Sequence, residues 1–148
     1  DPGINGGICV MNVDLSHFEA VPMPMLGGDI DTAGVMALID RASTVWLEKV
    51  HAMPGQGVTS MFTFGRNYGK LAGIIECLGC PLQYVPPQTW QKAICLPAKA
   101  GKGAVSAWVK RTWPGQELLA TPRSKVPHDG MADAVGIAYY GATMGAGK

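Results

Sequence analysis

The chain has 148 residues, 47% apolar and 16% charged, with a formal net charge of +1. That is one domain's worth of sequence with enough apolar content for a real core, which excludes general disorder. No apolar run approaches the roughly 18 residues a membrane span needs, and no basic-then-apolar leader opens the chain, so a cytoplasmic protein is the default expectation.

In chain order, Gly6–Met11 reads as a strand rising from a Gly-rich turn, and a second short strand surrounds Phe18–Val21. Pro22 to Asp29, with two prolines and two glycines, reads as a loop. Asp31 is placed to cap a helix whose Val35, Leu38 and Ile39 share one face. The β-branched, apolar stretch Thr44–Val50 predicts a buried strand. After a loop over Met53–Gly57, a long helix runs from Thr59 and ends before Gly79 and Pro81.

Leu82–Val85 is a further strand, stopped by Pro86, and Pro87 opens a short helix containing Trp90 and Ile94. Lys99–Gly103 is a basic loop, Ala104–Trp113 a helix, and Asp129–Tyr140 a final helix. Residues 141–148 are small and read as a flexible tail. No internal repeat is visible, and strand–helix alternation after two opening strands predicts a single α/β domain over 1–148 with a mixed central sheet flanked by helices.

Charge is unevenly spread. Residues 1–40 sum to −6, 41–86 to +2, 87–127 to +6 and 128–148 to −1. A phosphate-binding surface beside an acidic metal site needs such an asymmetry, although a solvated surface can also cluster charge by chance. Cys9, Cys77, Cys80 and Cys95 include one C-x-x-C but no second pair at zinc spacing, so they read as reduced core side chains. Trp46, Trp90, Trp108 and Trp113 read as core.

Four acids stand where stability alone would not put them. Asp1 precedes Pro2-Gly3 at a strand-to-turn junction, and Glu48 lies in an otherwise apolar strand, where an unpaired buried carboxylate costs several kcal/mol. Asp129 and Asp133 are four apart, about one helical turn (roughly 6 Å) on one face. Converging on one sheet end, these acids would hold two Mg²⁺ or Mn²⁺ ions about 4 Å apart for in-line attack on a phosphate. Taken singly, Asp129 or Asp133 could cap the helix, Asp1 could serve the turn, and Glu48 could pair with a neighbouring base.

Three ordered blocks carry a resemblance spanning nearly the whole chain. They are Asp1-Pro2-Gly3 with Gly6-Gly7; Glu48 to Val58 leading into Met61–Gly69; and His128 to Ala134. Together they resemble the RuvC-type Holliday-junction resolvases of the RNase H-like superfamily, and most of all the versions carried by bacteriophages. The resemblance implies an RNase H-like fold, a homodimer, and paired symmetric nicks in four-way DNA junctions leaving 5′-phosphate and 3′-hydroxyl ends. It also implies catalytic metal-ligand roles for Asp1, Glu48, Asp129 and Asp133. Lys102 matches a basic loop position near the scissile phosphate, and Lys99, Lys110, Arg111, Arg123 and Lys125 are candidates for backbone contacts. Phe62 or Phe64 could stack on an unpaired base, with core or interface packing as the other reading.

Two departures from the family stand out. Bacterial members space their last two acidic or His positions by three, whereas these acids are four apart, so His128 is either an assistant to the attacking water or a helix-start residue. The family's first strand carries apolar residues ahead of its aspartate, so the native chain is expected to extend before Asp1. Alternative functions are cleavage of RNA–DNA hybrid or of branched and flap DNA, an actin-like ATPase, which would need a second lobe, and an inactive nucleic-acid-binding module.

Overall fold

A computed structural model describes residues 1–51, 55–97, 100–101 and 103–145. The opening loop leads into β1 (Gly7–Met11), which turns back as β2 (Phe18–Pro22) in an antiparallel ladder pairing Gly7 with Pro22 and Met11 with Phe18. The stretch expected to be a loop contains a minimal hairpin instead, β3 (Met25–Leu26) against β4 (Asp29–Ile30). Gly27 and Gly28 both have positive φ, +60° and +83°, the requirement of the two-residue turn whose twist matches paired strands. The glycines therefore make the strand pair rather than oppose it.

Asp31 caps α1 (Thr32–Ile39), its carboxylate accepting from the Ala33 amide at 3.1 Å. Then follow β5 (Val45–Glu48), α2 (Val58–Cys77), β6 (Leu82–Val85), α3 (Pro87–Ala93), α4 (Ala104–Thr112) and α5 (Asp129–Gly145). The strands β5 and β6 run parallel, with Glu48 opposite Val85. Parallel and antiparallel ladders thus coexist, as expected of a mixed sheet. Among the described residues they form three separate two-stranded sheets rather than one continuous ladder.

Strand periodicity distributes the core to two faces. From β1, Ile8 packs with Val35, Ile39, Leu71 and Ile75 of α1 and α2, while Cys9 and Met11 pack with Phe18, Met131 and Val135 on the α5 side. From β5, Val45 joins the first group and Trp46 packs with Trp90 and Ile137. The layers are therefore α1 and α2, then strands, then α3, α4 and α5, each strand burying alternate side chains on opposite faces. Burying both faces explains why Val45–Leu47 reads as an unbroken apolar run.

Two expectations need correction. Residues 141–145 are not a flexible tail, because α5 continues to Gly145; residues 146–148 lie outside the described residues. Gly141 is buried, and a Cβ there would fall on the indole of Trp46. The absent side chain is what lets the helix pass the ring. The cysteines are all free, but Cys77 and Cys95 are exposed, and only Cys9 and Cys80 contribute to packing. Among the described residues no helix is long and apolar enough to cross a membrane.

Candidate functional site

Backbone contact brings the first residues of the chain onto the start of α5. Gly6 and Gly7 are both buried, as is Gly130. A Cβ on Gly7 would stand 2.8 Å from the Gly130 carbonyl oxygen, and one on Gly130 would collide with the Asn5 carbonyl and Gly6. Three glycines therefore interlock main chain against main chain, closer than any side chain would permit. The loop is held further by a turn from the Gly6 amide to the Gly3 carbonyl, 2.8 Å, and by the Asp1 amino group donating to Gly7 O at 3.1 Å.

Glu48 is delivered from the other direction, by the last residue of β5. Its Oε1 accepts the Trp90 indole N–H at 2.8 Å, and its carbonyl oxygen accepts the Tyr68 hydroxyl at 3.2 Å. Trp90 is buried, 1% exposed, and lies so close to α5 that a Cβ on Gly136 would stand 2.6 Å from its ring. An anchored indole thus fixes one carboxylate oxygen of Glu48. Sequence reasoning took Trp90 for core alone. A contact between residues 42 apart carries no local signal.

Electrostatic coupling links Glu48 and Asp133 to each other and to the Asp1 amino group. Asp133 is half-buried, and its carboxyl is pushed up to about 6, first by desolvation, then by the negative charges of Glu48 and Asp129, with the Asp1 amino group opposing. Burial pulls the Asp1 ammonium down to about 6, while Glu48 and Asp133 favour its charged form. Burial also raises the Cys9 thiol to about 12. Tyr68 is raised by burial and by the neighbouring Tyr84 and Glu48 charges. The Asp1 amino group, Glu48 and Asp133 therefore lie within electrostatic reach of one another, with Asp129 exposed one turn before Asp133. The described ion pairs join Asp29 to Arg66 and Lys70, so no described base neutralises Glu48 or Asp133 through an ion pair.

Paired carboxylates such as Glu48 and Asp133 fit hard divalent cations in their chemistry: oxygen donors only, with mutual repulsion that a bound cation screens. Among the described residues, no three His, Cys, Asp or Glu side chains are arranged to hold one ion together. Mg²⁺ needs no such triad, because it is commonly held by one or two carboxylates with water and substrate phosphate completing the shell.

Of the other predicted residues, His128 adjoins Asp129, and the remaining described ones lie on α2, α4 and the segment before α5. His128 stands immediately before α5, its Nδ1 accepting the Met131 amide at 3.2 Å, which satisfies one of the otherwise orphaned first-turn amides as a helix cap does. Phe62 is 75% exposed on α2, whereas Phe64 is half-buried and stacks on Tyr68 with centroids 6.2 Å apart. Tyr68 in turn lies 6.4 Å from Tyr84, so an aromatic row leads to the Glu48 carbonyl. Arg123 and Lys125 are exposed in the segment before α5, and Lys110 and Arg111 are exposed at the end of α4. Lys99 and Lys102 lie outside the described residues.

Layer order, strand directions and an acid-bearing last helix together define an α/β chain of RNase H-like fold. The Thermus thermophilus RuvC structure superposes on it with a TM-score of 0.62 at 22% identity, covering 97% of this chain and 93% of that one. T. thermophilus RuvC in complex with Holliday junction substrate gives 0.61 at 22% identity, covering 97% and 92%. No protein-family model matches the sequence, and no curated protein matches it.

Proposed function

We propose that this chain is a divalent-metal-dependent endonuclease that resolves four-way DNA junctions by paired symmetric cuts, acting as a homodimer. The observation that carries the reading is the coupling of Glu48 and Asp133, delivered by β5 and α5, beside the amino-terminal residue Asp1, with no described Lys or Arg in an ion pair with either carboxylate, on a fold shared with RuvC. The known RuvC structure with a Holliday junction substrate favours a junction over other branched DNA.

In this reading Asp1, Glu48, Asp129 and Asp133 hold two Mg²⁺ or Mn²⁺ ions, which when bound supply positive charge at the phosphate and a water acidic enough to attack it. Trp90 holds Glu48 in one rotamer through its indole N–H. The glycine interlock fixes the backbone of the loop that begins at Asp1 against the start of α5, the helix that carries Asp133. Arg123 and Lys125, with Lys99 and Lys102, contact phosphates and set affinity and salt dependence without reading sequence. Phe62 stacks on a base exposed at the junction centre.

The test compares a synthetic four-way junction, linear duplex, a flap and RNA–DNA hybrid at matched salt with Mg²⁺. Junction is expected to be cut fastest, leaving 5′-phosphate ends. Glu48→Gln should lose cleavage yet retain junction binding. Equal or faster cutting of the hybrid would overturn the substrate assignment, and cleavage surviving in Glu48→Gln would overturn the site.

A further inference from the structure

Glu48 closes β5, and its carbonyl points away from the strand that β5 pairs with. The Val45 and Lys49 amides turn toward β6 and bond to the Pro81 and Val85 carbonyls at 2.9 and 2.7 Å. Backbone groups alternate sides along a strand, so the Glu48 carbonyl turns the other way. Among the described residues β5 pairs with β6 alone, so no strand receives that carbonyl. Its partner is a side chain: the Tyr68 hydroxyl donates to it at 3.2 Å. The Val50 amide approaches the same phenol oxygen as a donor. One hydroxyl thus touches the main chain on both sides of Lys49, where the chain leaves the sheet.

The phenol has little freedom of its own. Phe64, one helical turn earlier on α2, stacks on its ring with centroids 6.2 Å apart, and Tyr84 of β6 lies 6.4 Å from it. The helix is anchored at the same level. Asn67 and Leu71 are buried, and the Lys70 ammonium donates to the Ile30 carbonyl at 2.6 Å. Trp90 holds the same glutamate at its other end, donating from α3 to Oε1 at 2.8 Å. A carboxylate held only at its tip still follows its own Cα when the strand end shifts. Two grips, one on the main chain from α2 and one on the side chain from α3, remove that freedom.

We infer that Tyr68 is a positioning residue: through its hydroxyl it fixes the main chain of Glu48, and with it the place at which that carboxylate meets a divalent cation. The inference rests on the reading of Glu48 as a metal ligand and adds to it a residue that acts only through another. Its signature differs from that of a packing aromatic. Loss of packing lowers stability and leaves metal affinity alone. Loss of this hydroxyl raises the metal requirement while stability stays nearly whole, because the ring and its neighbours Phe64 and Tyr84 remain.

The test uses the full chain, its Tyr68→Phe variant, which keeps the ring and removes the hydroxyl, and Tyr84→Phe as a control. Four tryptophans give four indole N–H signals in a nuclear magnetic resonance spectrum, and Trp90→Phe identifies the one bonded to Glu48. Mn²⁺ is titrated without DNA, and paramagnetic broadening of the Trp90 signal reports an ion bound beside it. Half-broadening should need about tenfold more Mn²⁺ in Tyr68→Phe than in the parent, and the parent's concentration in Tyr84→Phe. Single-turnover cleavage of a four-way junction should show the same shift of about tenfold in Mn²⁺ requirement. The rate at saturating Mn²⁺ should return to within about twofold of the parent, with junction affinity unchanged. The melting temperature should fall by no more than about 4 °C. Equal broadening midpoints in parent and Tyr68→Phe, or an equal rise in Tyr84→Phe, would overturn the positioning role. A parent that cuts no DNA yet shows the gap in Mn²⁺ binding removes the nuclease reading and leaves Tyr68 in its role. A parent whose Trp90 signal stays sharp in Mn²⁺ removes both.

Discussion

Asp133→Asn separates the cost of the acidic site from its use. The Asp133 carboxyl is moved from 3.8 to about 6, with desolvation the largest cause and Glu48 next. Because the folded-state value is raised, its stabilising contribution is complete below pH 3.8 and is lost as pH rises through about 6. Above that pH the ionised carboxylate costs the folded protein about 3 kcal/mol relative to an exposed one. Asparagine keeps the shape and removes the charge. Without divalent metal, Asp133→Asn should therefore melt up to about 10 °C higher than the parent at pH 7.5, with the gap closing by pH 4. The same substitution should abolish cleavage. Thermal denaturation in a chelator at both pH values is the assay. A gap that is absent at pH 7.5, or equally large at pH 4, would refute the assignment of Asp133 to a half-buried site beside Glu48.

Trp90→Phe keeps most of the buried ring and removes the hydrogen bond to Glu48; cleavage should fall by about tenfold with junction affinity unchanged, measured by single-turnover kinetics beside equilibrium binding. His128→Ala should lower stability by about 1 kcal/mol through loss of the helix cap while leaving the pH profile of cleavage unaltered. A profile that loses a limb near neutrality would return His128 to the chemistry. Phe62→Ala should leave the melting temperature unchanged, because the ring is 75% exposed, and should weaken junction binding by about tenfold in gel-shift titration.

Elements with strong periodicity or explicit punctuation were legible in the sequence. Asp31 caps α1 as its position implies, Pro87 opens α3, and α2 carries Leu71, Ile74 and Ile75 inward at helical spacing. The β3–β4 hairpin was not legible, since two-residue strands have no period to detect and Gly27-Gly28 reads as a break until its handedness is known. The end of α5 was misread for a related reason. Gly141 lowers helix propensity, yet its value lies in contact with Trp46, a residue from a strand 95 positions earlier. Propensity is local and the contact is not.

The same division runs through the candidate site. Glu48 and Asp133 stand out as charges in apolar surroundings, and the sequence alone marks them. What holds them does not: Trp90 beside Glu48 and the Gly6, Gly7 and Gly130 interlock are pairings across the fold. His128 is ambiguous in sequence because an imidazole suits both a proton carrier and a cap; the bond its Nδ1 accepts from the Met131 amide is one a cap makes.

The close passage of α5 also bears on how this protein can vary. At Gly130, Gly136 and Gly141 a single added methyl group meets backbone or an indole ring, so every amino-acid replacement at those codons is bulkier than the space allows. A saturation scan scored by DNA cleavage would register these positions as intolerant as the acids, although they offer no functional group at all. Inheritance would then preserve an emptiness as strictly as a reactive atom, and loss of function along α5 would not by itself distinguish the two.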